Sequence, residues 1–288
     1  MPRLMVVGVL AAVALAGAAA VPAPSPDSPQ PTPLIDDSAR EAFLLEGEIV
    51  GDRPAGAGVS GSRRVTLRRG DDEHDAHVQT HDEYRSQVRL PSGPELDFRD
   101  TWRNNVAAYR LDRLLGLGMV PTTVVRHYRG KAGSYTWWVD DVIMTEKERY
   151  LSRTPAPDPV AWNRQIFVVR LFDQLICNFD RNLENLLIDS RWRLWMIDHT
   201  RAFKVFRDLR NEKNLAPTCD RPLLASLRVL DKPTLEKAVE DVLKGTQIDA
   251  VLARRDRIVR HYDDEIAARG EGAVLYDLPT RLPPAAQR

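Results

Sequence analysis

Three side chains past the middle of the chain have the types and spacing of a site for a divalent metal ion and phosphate. Asn185 follows Asp180 by five positions, and Asp198 comes thirteen positions after Asn185. Residues 186–188 and 194–197 are predicted to form two short strands joined by a turn, which would return Asp198 to the loop holding the other two residues. Two carboxylates and a carboxamide on a rigid support are the oxygen donors that a hard cation bound with phosphate requires.

The pattern Asp-Arg-x-x-x-Asn, a hairpin and then Ile-Asp-His resembles the catalytic and metal-binding loops of atypical kinases. That group includes the phosphatidylinositol 3-/4-kinases, the HipA-type toxin kinases and the secretory-pathway kinases. The resemblance implies that Asp180 orients the acceptor hydroxyl and accepts its proton, while Asn185 and Asp198 hold Mg²⁺ against the phosphates of ATP. It also implies an α+β fold of two lobes, a small β-rich N-lobe and a helical C-lobe. The alternative is a polar turn between a helix and a hairpin, with Asp198 capping the segment that follows.

A glycine-rich stretch is the candidate cover for the phosphates. Gly56, Gly58 and Gly61 form a G-x-G-x-x-G pattern between strand candidates at residues 46–50 and 64–67. A dinucleotide-binding fold would place a helix after this pattern, whereas a β-branched strand follows here. Strand, glycine loop and strand is the arrangement with which kinases cover ATP. A flexible surface loop is the other interpretation of the same residues.

The sequence departs from the kinase pattern at two positions. Gln79 stands where the resemblance implies a lysine for the phosphates, and Asn105 stands where it implies the glutamate that holds this lysine. The two amides can hydrogen-bond without leaving a buried charge unpaired, but they supply no cation. Arg63 or Arg64 could supply positive charge from the strand beside the glycines, or both could point to solvent. Two functions therefore stay open: a phosphotransferase, or a pseudokinase-like module that binds nucleotide or protein without catalysis.

The order of the predicted elements fits the two-lobed interpretation. Three strands, one helix and two further strands are expected in the first half, and the second half is expected to be mainly helical. The helix of the first half is expected to run from Thr101 to about Leu117, with Asp100 as its cap. The helix before Asp180 carries an apolar stripe at helical spacing and is predicted to be part of the core. The sequence predicts an N-lobe at residues 36–144, a C-lobe at residues 145–270 and a loosely ordered tail at residues 271–288.

The first 35 residues are expected to lie outside the fold. Residues 1–20 begin with a short positive segment, continue with an unbroken apolar run and end in three alanines, which predicts a cleaved signal peptide. An uncleaved membrane anchor is the alternative, although the run of seventeen residues is shorter than the usual span of about 20. Residues 21–35 are rich in proline and are predicted to be a disordered tether. Export to the periplasm or the medium is the predicted localisation.

The amino-acid composition limits the classes of binding partner that can be expected. With 288 residues, 43% hydrophobic and 28% charged, the chain has the makeup of a globular protein of one large or two-lobed domain. Its formal net charge of zero argues against nucleic acid as a partner. The expected partners are a nucleotide and an acceptor of unknown class, which could be protein, lipid or small molecule, and membrane contact is expected only through an uncleaved N-terminal segment.

A disulfide bridge and a zinc site are less well supported by the sequence than the kinase-like site. Cys177 and Cys219 are too few for a disulfide framework, and whether they form one bridge stays open. His77 and His81 are four positions apart on a predicted strand. This spacing does not make a zinc site on one edge of a strand, so zinc binding is not the favoured interpretation.

Overall fold

A five-stranded antiparallel sheet organises the first half of the chain in the computed structural model, which describes residues 37–56, 61–90 and 93–278. The elements of this half are, in chain order, α1 (Asp37–Glu46), β1 (Glu48–Pro54), β2 (Arg63–Arg69), β3 (Asp72–Gln79), β4 (Asp82–Leu90), β5 (Gly93–Thr101), α2 (Arg103–Leu114), β6 (Thr123–Tyr128) and β7 (Lys131–Trp137). The strand order in the sheet is β1-β2-β3-β7-β6. The predicted strands around the glycines and the predicted helix before residue 117 are therefore present.

The two faces of this sheet have different roles because side chains alternate along each strand. Val65 and Val78 are buried against α1, where Phe43 and Leu44 complete a small apolar core. Gln79 follows Val78 on β3 and lies on the opposite face, where it lines a cavity. The period-2 alternation of β3 thus separates a core-forming face from a site-forming face.

The antiparallel hairpin of β4 and β5 is an element that the sequence pattern did not predict. Its strand β4 is mostly exposed and has no alternating apolar signal. Asp100, which was expected to cap the following helix, instead lies in β5 and pairs with Glu83 across the hairpin. The prediction of Asp100 as the helix cap was therefore wrong, and α2 begins at Arg103.

The second half is mainly helical around a small three-stranded sheet. Its elements are β8 (Val142–Thr145), α3 (Glu146–Ser152), α4 (Pro159–Leu175), β9 (Leu186–Asp189), β10 (Leu194–Met196), β11 (Cys219–Asp220), α5 (Arg221–Val229), α6 (Lys232–Val239), α7 (Gly245–Arg269), α8 (Glu271–Val274) and β12 (Leu275–Tyr276). The hairpin predicted after Asp180 is confirmed, with Leu194 opposite Ile188 and Met196 opposite Leu186. A β-rich part followed by a helical part confirms the predicted α+β fold class.

The core of the second half is built around α4. Val168, Leu171, Phe172 and Leu175 are buried on one stripe of this helix, as their spacing predicts. Arg254 of α7 is also fully buried and donates hydrogen bonds to the carbonyl oxygens of Leu175, Lys204 and Phe206. It thereby ties the end of α4 to the chain segment after Asp198.

The structure tests the predicted loose tail and the open question of a bridge between Cys177 and Cys219. The prediction of a loosely ordered tail was wrong for residues 271–278, because α8 and β12 pack there and bury Val274, Tyr276 and Leu278. Cys177 and Cys219 are both buried, and no disulfide joins them. The predicted signal peptide (residues 1–20), the predicted tether (residues 21–35) and Gly58 lie outside the described residues. Within the described ranges, no helix combines the length and apolar character needed to cross a bilayer.

Candidate functional site

A cavity of about 520 Å³ lies between the site-forming face of the first sheet and the β9–β10 hairpin. Apolar side chains line much of it, namely Val120, Trp138, Val142, Leu187 and Met196. A largely apolar cleft with a few polar groups is the usual form of a small-molecule site. The polar groups of this one include some of the side chains singled out by the sequence, but not Asp180, Arg63 or Arg64.

Asn185 and Asp198 line the same cavity, as predicted. They are brought together by the hairpin and by a hydrogen bond of 3.0 Å from the amide of Ile197 to the carbonyl oxygen of Asn185. Asp198 has a left-handed backbone (φ 53°), which turns the chain away from β10, and its Oδ1 accepts a hydrogen bond of 3.0 Å from the Thr200 hydroxyl. Among the described residues, none donates to Asp198 Oδ2 or to the Asn185 carboxamide oxygen. These oxygens are therefore available to a ligand.

Asp180 lies outside this cavity. Its side chain is 67% exposed, and its Oδ2 lies 3.9 Å from Nη1 of Arg201. The amide of Asp180 donates a hydrogen bond of 3.2 Å to the Asn178 side chain, which shapes the loop locally. The structure thus brings Asn185 and Asp198 together and leaves Asp180 exposed to solvent, so the predicted convergence of all three side chains was wrong for Asp180.

Arg181 connects the loop of Asp180 to the strand end that precedes Asp198. Its guanidinium forms an ion pair with Asp173 of α4 at 2.9 Å, and both side chains are largely buried. Its Nη1 donates hydrogen bonds of 2.8 Å to the carbonyl oxygen of Ile197 and 3.3 Å to that of Asn185. Arg181 therefore holds the main chain at Asn185 and at Ile197 in place against α4.

Gln79 and Asn105 also line the cavity, so the two positions at which the sequence departs from the kinase pattern meet there. Gln79 Oε1 accepts a hydrogen bond of 2.9 Å from the amide of His81. Asn105 Oδ1 accepts one of 2.8 Å from the amide of His199. The neighbouring Asn104 donates to the carbonyl oxygens of Thr200 and Ala202. The start of α2 is thus fastened to the segment around Asp198 by amides.

His77 and His199 line the cavity as well, although no role in this site was predicted for His77. Burial lowers the pKa of His77, and the nearby charge of Asp198 opposes that shift only in part. Burial holds the pKa of His199 well below its ordinary value, with the charge of Arg181 acting in the same direction. The signal that could have identified His77 is its position two residues before Gln79, which places both side chains on one face of a strand.

Of the described glycines in the glycine-rich loop and the two arginines that follow it, only Gly56 lines the cavity. Gly56 lines the cavity, whereas Gly61, with a left-handed backbone, is outside the lining. Arg63 donates to Asp52 at 2.7 Å. Arg64 donates to Asp75 at 2.5 Å and lies over the ring of Trp138. Neither arginine is among the residues lining the cavity, so their positions do not support the expectation that one of them carries charge to the phosphates.

The oxygen donors present fit a magnesium ion shared with phosphate. Within the described part of the chain, no group of three or more His, Cys, Asp or Glu side chains is placed to hold a metal ion by itself. Mg²⁺ is typically held by one or two carboxylates together with phosphate oxygens and water. Asn185 and Asp198 would be the protein ligands of such an ion.

A second, wider groove of about 1260 Å³ runs along α4 on the other side of the Asp180 loop. Asn178, Phe179, Arg181 and Leu183, which flank Asp180 in sequence, contribute to its wall. Asp180 itself is not among the residues that line the groove.

Comparison with known proteins supports the fold. No protein-family model matches the sequence, and no curated protein matches it. Among solved structures, Fam20 from hydra, determined with sugar, aligns with a TM-score of 0.61 at 14% identity, over 83% of this chain and 92% of that one. The Golgi casein kinase with Mn/ADP bound aligns with a TM-score of 0.56 at 14% identity, over 85% and 80% of the two chains.

The Helicobacter pylori proinflammatory kinase CtkA aligns with a TM-score of 0.50 at 12% identity, over 78% of this chain and 98% of that one. These alignments cover most of each chain, so they concern the whole two-part architecture rather than a single motif. The chain therefore has the fold of the atypical kinases, which confirms the resemblance drawn from the loops of Asp180, Asn185 and Asp198.

Proposed function

We propose that this protein is a kinase-like phosphotransferase that binds ATP together with Mg²⁺ and transfers a phosphoryl group to a hydroxyl-bearing acceptor. The observation that carries the proposal is that Asn185 and Asp198 both line an apolar cavity beside Gly56, where Asp198 Oδ2 and the Asn185 carboxamide oxygen accept no hydrogen bond from the described residues. The Golgi casein kinase, solved with Mn/ADP bound, supports the use of nucleotide and a divalent ion on this fold.

The roles of the side chains follow from their positions. Asp180 accepts the proton of the acceptor hydroxyl, whose oxygen forms a bond to the γ-phosphorus. The bond between that phosphorus and the β,γ-bridging oxygen breaks, and ADP leaves with the electron pair. Asn185 and Asp198 hold the metal ion, which when bound neutralises charge on the phosphates. Trp138 and the neighbouring apolar side chains enclose the base of the nucleotide.

A second function, a pseudokinase-like binding module, is favoured by one specific observation. No lysine or arginine occurs among the described residues that line the cavity. A hydrogen bond to a charged group contributes about 1.5–3 kcal/mol, so the loss of the lysine weakens nucleotide binding by one to two orders of magnitude. The acceptor would then be a binding partner instead of a substrate.

Thermal unfolding with Mg·ATP tests the first function. A ligand present at about 100 times its Kd raises the free energy of unfolding by about 2.7 kcal/mol. We expect such a stabilisation for the wild type and for Asp180→Asn, and its loss in Asp198→Asn. Asp256→Asn, an exposed substitution on α7, is the matched control and should behave like the wild type. If no nucleotide stabilises the wild type with any divalent ion, the phosphotransferase proposal is wrong.

Phosphoryl transfer separates the two functions once binding is established. With [γ-³²P]ATP and candidate acceptors of each class, we expect labelling by the wild type and none by Asp180→Asn. Binding of nucleotide by both proteins with no labelling of any acceptor and no hydrolysis of ATP would favour the binding module.

Export is proposed from the N-terminal segment alone. The apolar run ending at Ala20 supports signal cleavage, and the residues after it would tether the folded part. Expression in a secreting host followed by mass spectrometry of the product should give a mature chain that begins at Val21. A product that retains residues 1–20 and sediments with membranes would indicate the anchored alternative.

A further inference from the structure

The transferred phosphoryl group needs a positive charge that the cavity does not provide. Phosphoryl transfer depends on cationic groups beside the moving phosphorus, because charge spreads over its oxygens in the transition state. The lining formed by described residues contains no lysine or arginine, and Arg63 and Arg64 are paired with carboxylates elsewhere. Arg181 is directed at Asp173 and at main-chain carbonyls behind the loop. A cation must therefore come from another part of the chain.

Arg201 is the guanidinium that lies beside Asp180. It follows Asp198 by three positions, and its Nη1 is 3.9 Å from Asp180 Oδ2. Its Nη2 donates to both oxygens of Glu95, at 3.0 and 2.8 Å, and its plane lies over the ring of Phe98. Within the described ranges, Nη1 donates no hydrogen bond. One edge of the guanidinium is thus fixed by β5, while the other edge faces the proposed base.

Arg201 shares the carboxylate of Glu95 with a second cation. Lys204 is fully buried and also donates to Glu95, at 2.6 Å, so one carboxylate is shared between two cations. Asp97, the next acid along β5, is paired with Arg99. Glu95 therefore does not neutralise Arg201 alone. A partly buried carboxylate that orients an arginine while shared with a second cation is a way to hold a positive group ready for an anionic one.

We propose that Arg201 is a catalytic residue that contacts the transferring phosphoryl group and supplies positive charge to it. An acceptor hydroxyl held by Asp180 lies about 2.6–3.2 Å from its carboxylate, and the phosphorus it attacks lies about 3–3.5 Å from the hydroxyl oxygen. Arg201, like Asp180, is not among the residues that line the cavity, but because its Nη1 lies 3.9 Å from Asp180 Oδ2 its free edge would be within reach of that phosphorus. This inference rests on the proposed function, and it assigns the β4–β5 hairpin the task of orienting Arg201 through Glu95.

The test compares binding of ADP with binding of ADP and aluminium fluoride, a mimic of the transferring phosphoryl group, by calorimetry in the presence of Mg²⁺. For the wild type we expect aluminium fluoride to tighten ADP binding at least tenfold. In Arg201→Gln the Kd for ADP alone should stay within about twofold, and the tightening by aluminium fluoride should disappear. The kcat of transfer should fall by about 10²–10³-fold, as for the loss of one transition-state donor, with the KM for ATP unchanged. Arg201→Lys should recover part of the tightening and of the kcat.

Arg228→Gln is the matched control, since it removes the same charge from an exposed ion pair between α5 and α7. A wild type that binds ADP but shows the same tightening and the same kcat as Arg201→Gln would overturn the role of Arg201 while leaving the proposed function intact. A wild type that binds no nucleotide would instead overturn the proposed function. A purely structural role for Arg201 would appear as a lowered Tm with ADP binding and aluminium fluoride binding weakened equally, and it too would overturn the proposal.

Discussion

Arg181 Nη1 donates a hydrogen bond of 2.8 Å to the carbonyl oxygen of Ile197, the residue before Asp198. The same guanidinium is anchored by Asp173 at the buried side of α4. The side chain next to the proposed base therefore fixes the position of a proposed metal ligand. This contact explains how an exposed carboxylate at position 180 and a cavity-lining one at position 198 can keep a constant geometry.

Replacing Arg181 should disturb both loops at once. In Arg181→Gln we expect a loss of about 3 kcal/mol in the free energy of unfolding, because Asp173 is left as a largely buried charge without its partner. Urea denaturation measures this loss, with Arg228→Gln as the control for removal of an exposed arginine. Because the carbonyl oxygen of Ile197 also loses a donor, the Kd for Mg·ATP should rise at least tenfold. A variant with wild-type stability and wild-type affinity would contradict the role given to this side chain.

Restoring the lysine and glutamate should strengthen nucleotide binding. In Gln79→Lys with Asn105→Glu, the new cation can be held by the new carboxylate, while an oxygen of the glutamate still accepts the hydrogen bond from the His199 amide. A charge-assisted contact contributes about 1.5–3 kcal/mol, so the Kd for Mg·ATP should fall about tenfold or more. Calorimetry of the double variant and of each single variant checks this. Each single change alone should lower the Tm, because it leaves one charge at the cavity without its partner. Weaker binding by the double variant would show that this cavity does not receive phosphates.

Arg254 should be needed for the segment after Asp198 to keep its place. Burial lowers its pKa to about 10, so it remains charged at neutral pH although no acid faces it among the described residues. Arg254→Met would leave the carbonyl oxygens of Leu175, Lys204 and Phe206 without this donor. Unsatisfied buried groups cost about 1–3 kcal/mol each, partly offset by removal of a buried charge, so we expect a net loss of about 3 kcal/mol. Urea denaturation of this variant would contradict the argument if the midpoint stayed the same or rose.

Glu95 should make the stability of the fold depend on pH in the acid range. Burial by itself would raise its pKa, but hydrogen bonds and charges from Lys204 and Arg201 outweigh burial and lower it below the ordinary 4.5. The ionised carboxylate therefore stabilises the fold above a pH of about 4.5, and this contribution is lost as the pH falls through the lowered pKa. Compared with the wild type, Glu95→Gln should be less stable by about 2 kcal/mol at pH 7, with the difference shrinking toward pH 3. Urea midpoints measured from pH 7 to pH 3 give both curves, and a difference that grows with acid would refute the assignment.

Local chemistry explains the parts of the fold that the sequence predicted correctly. The apolar stripe of α4, the turn after Ile188 and the short strands on either side of it are set by neighbours within a few positions. Asn185 and Asp198 could therefore be placed together from their spacing. The β4–β5 hairpin escaped prediction because its outward strand is polar along its length and is held by cross-strand bonds instead of an alternating apolar pattern.

The order of the main strands and helices, the β9–β10 hairpin and the proximity of Asn185 and Asp198 could be predicted before the fold was known, because they depend on periodicity and on short-range turns. Which cations lie near the loop residues depends instead on contacts between distant segments. Arg63 and Arg64 are close to the glycines in sequence, yet carboxylates from neighbouring strands hold them away from the cavity. Arg201 stands beside Asp180 because Glu95, more than a hundred positions earlier, orients it across the fold. A guanidinium on a long side chain takes its position from whichever acid the folded chain brings within reach, and that choice is made by contacts between segments distant in sequence.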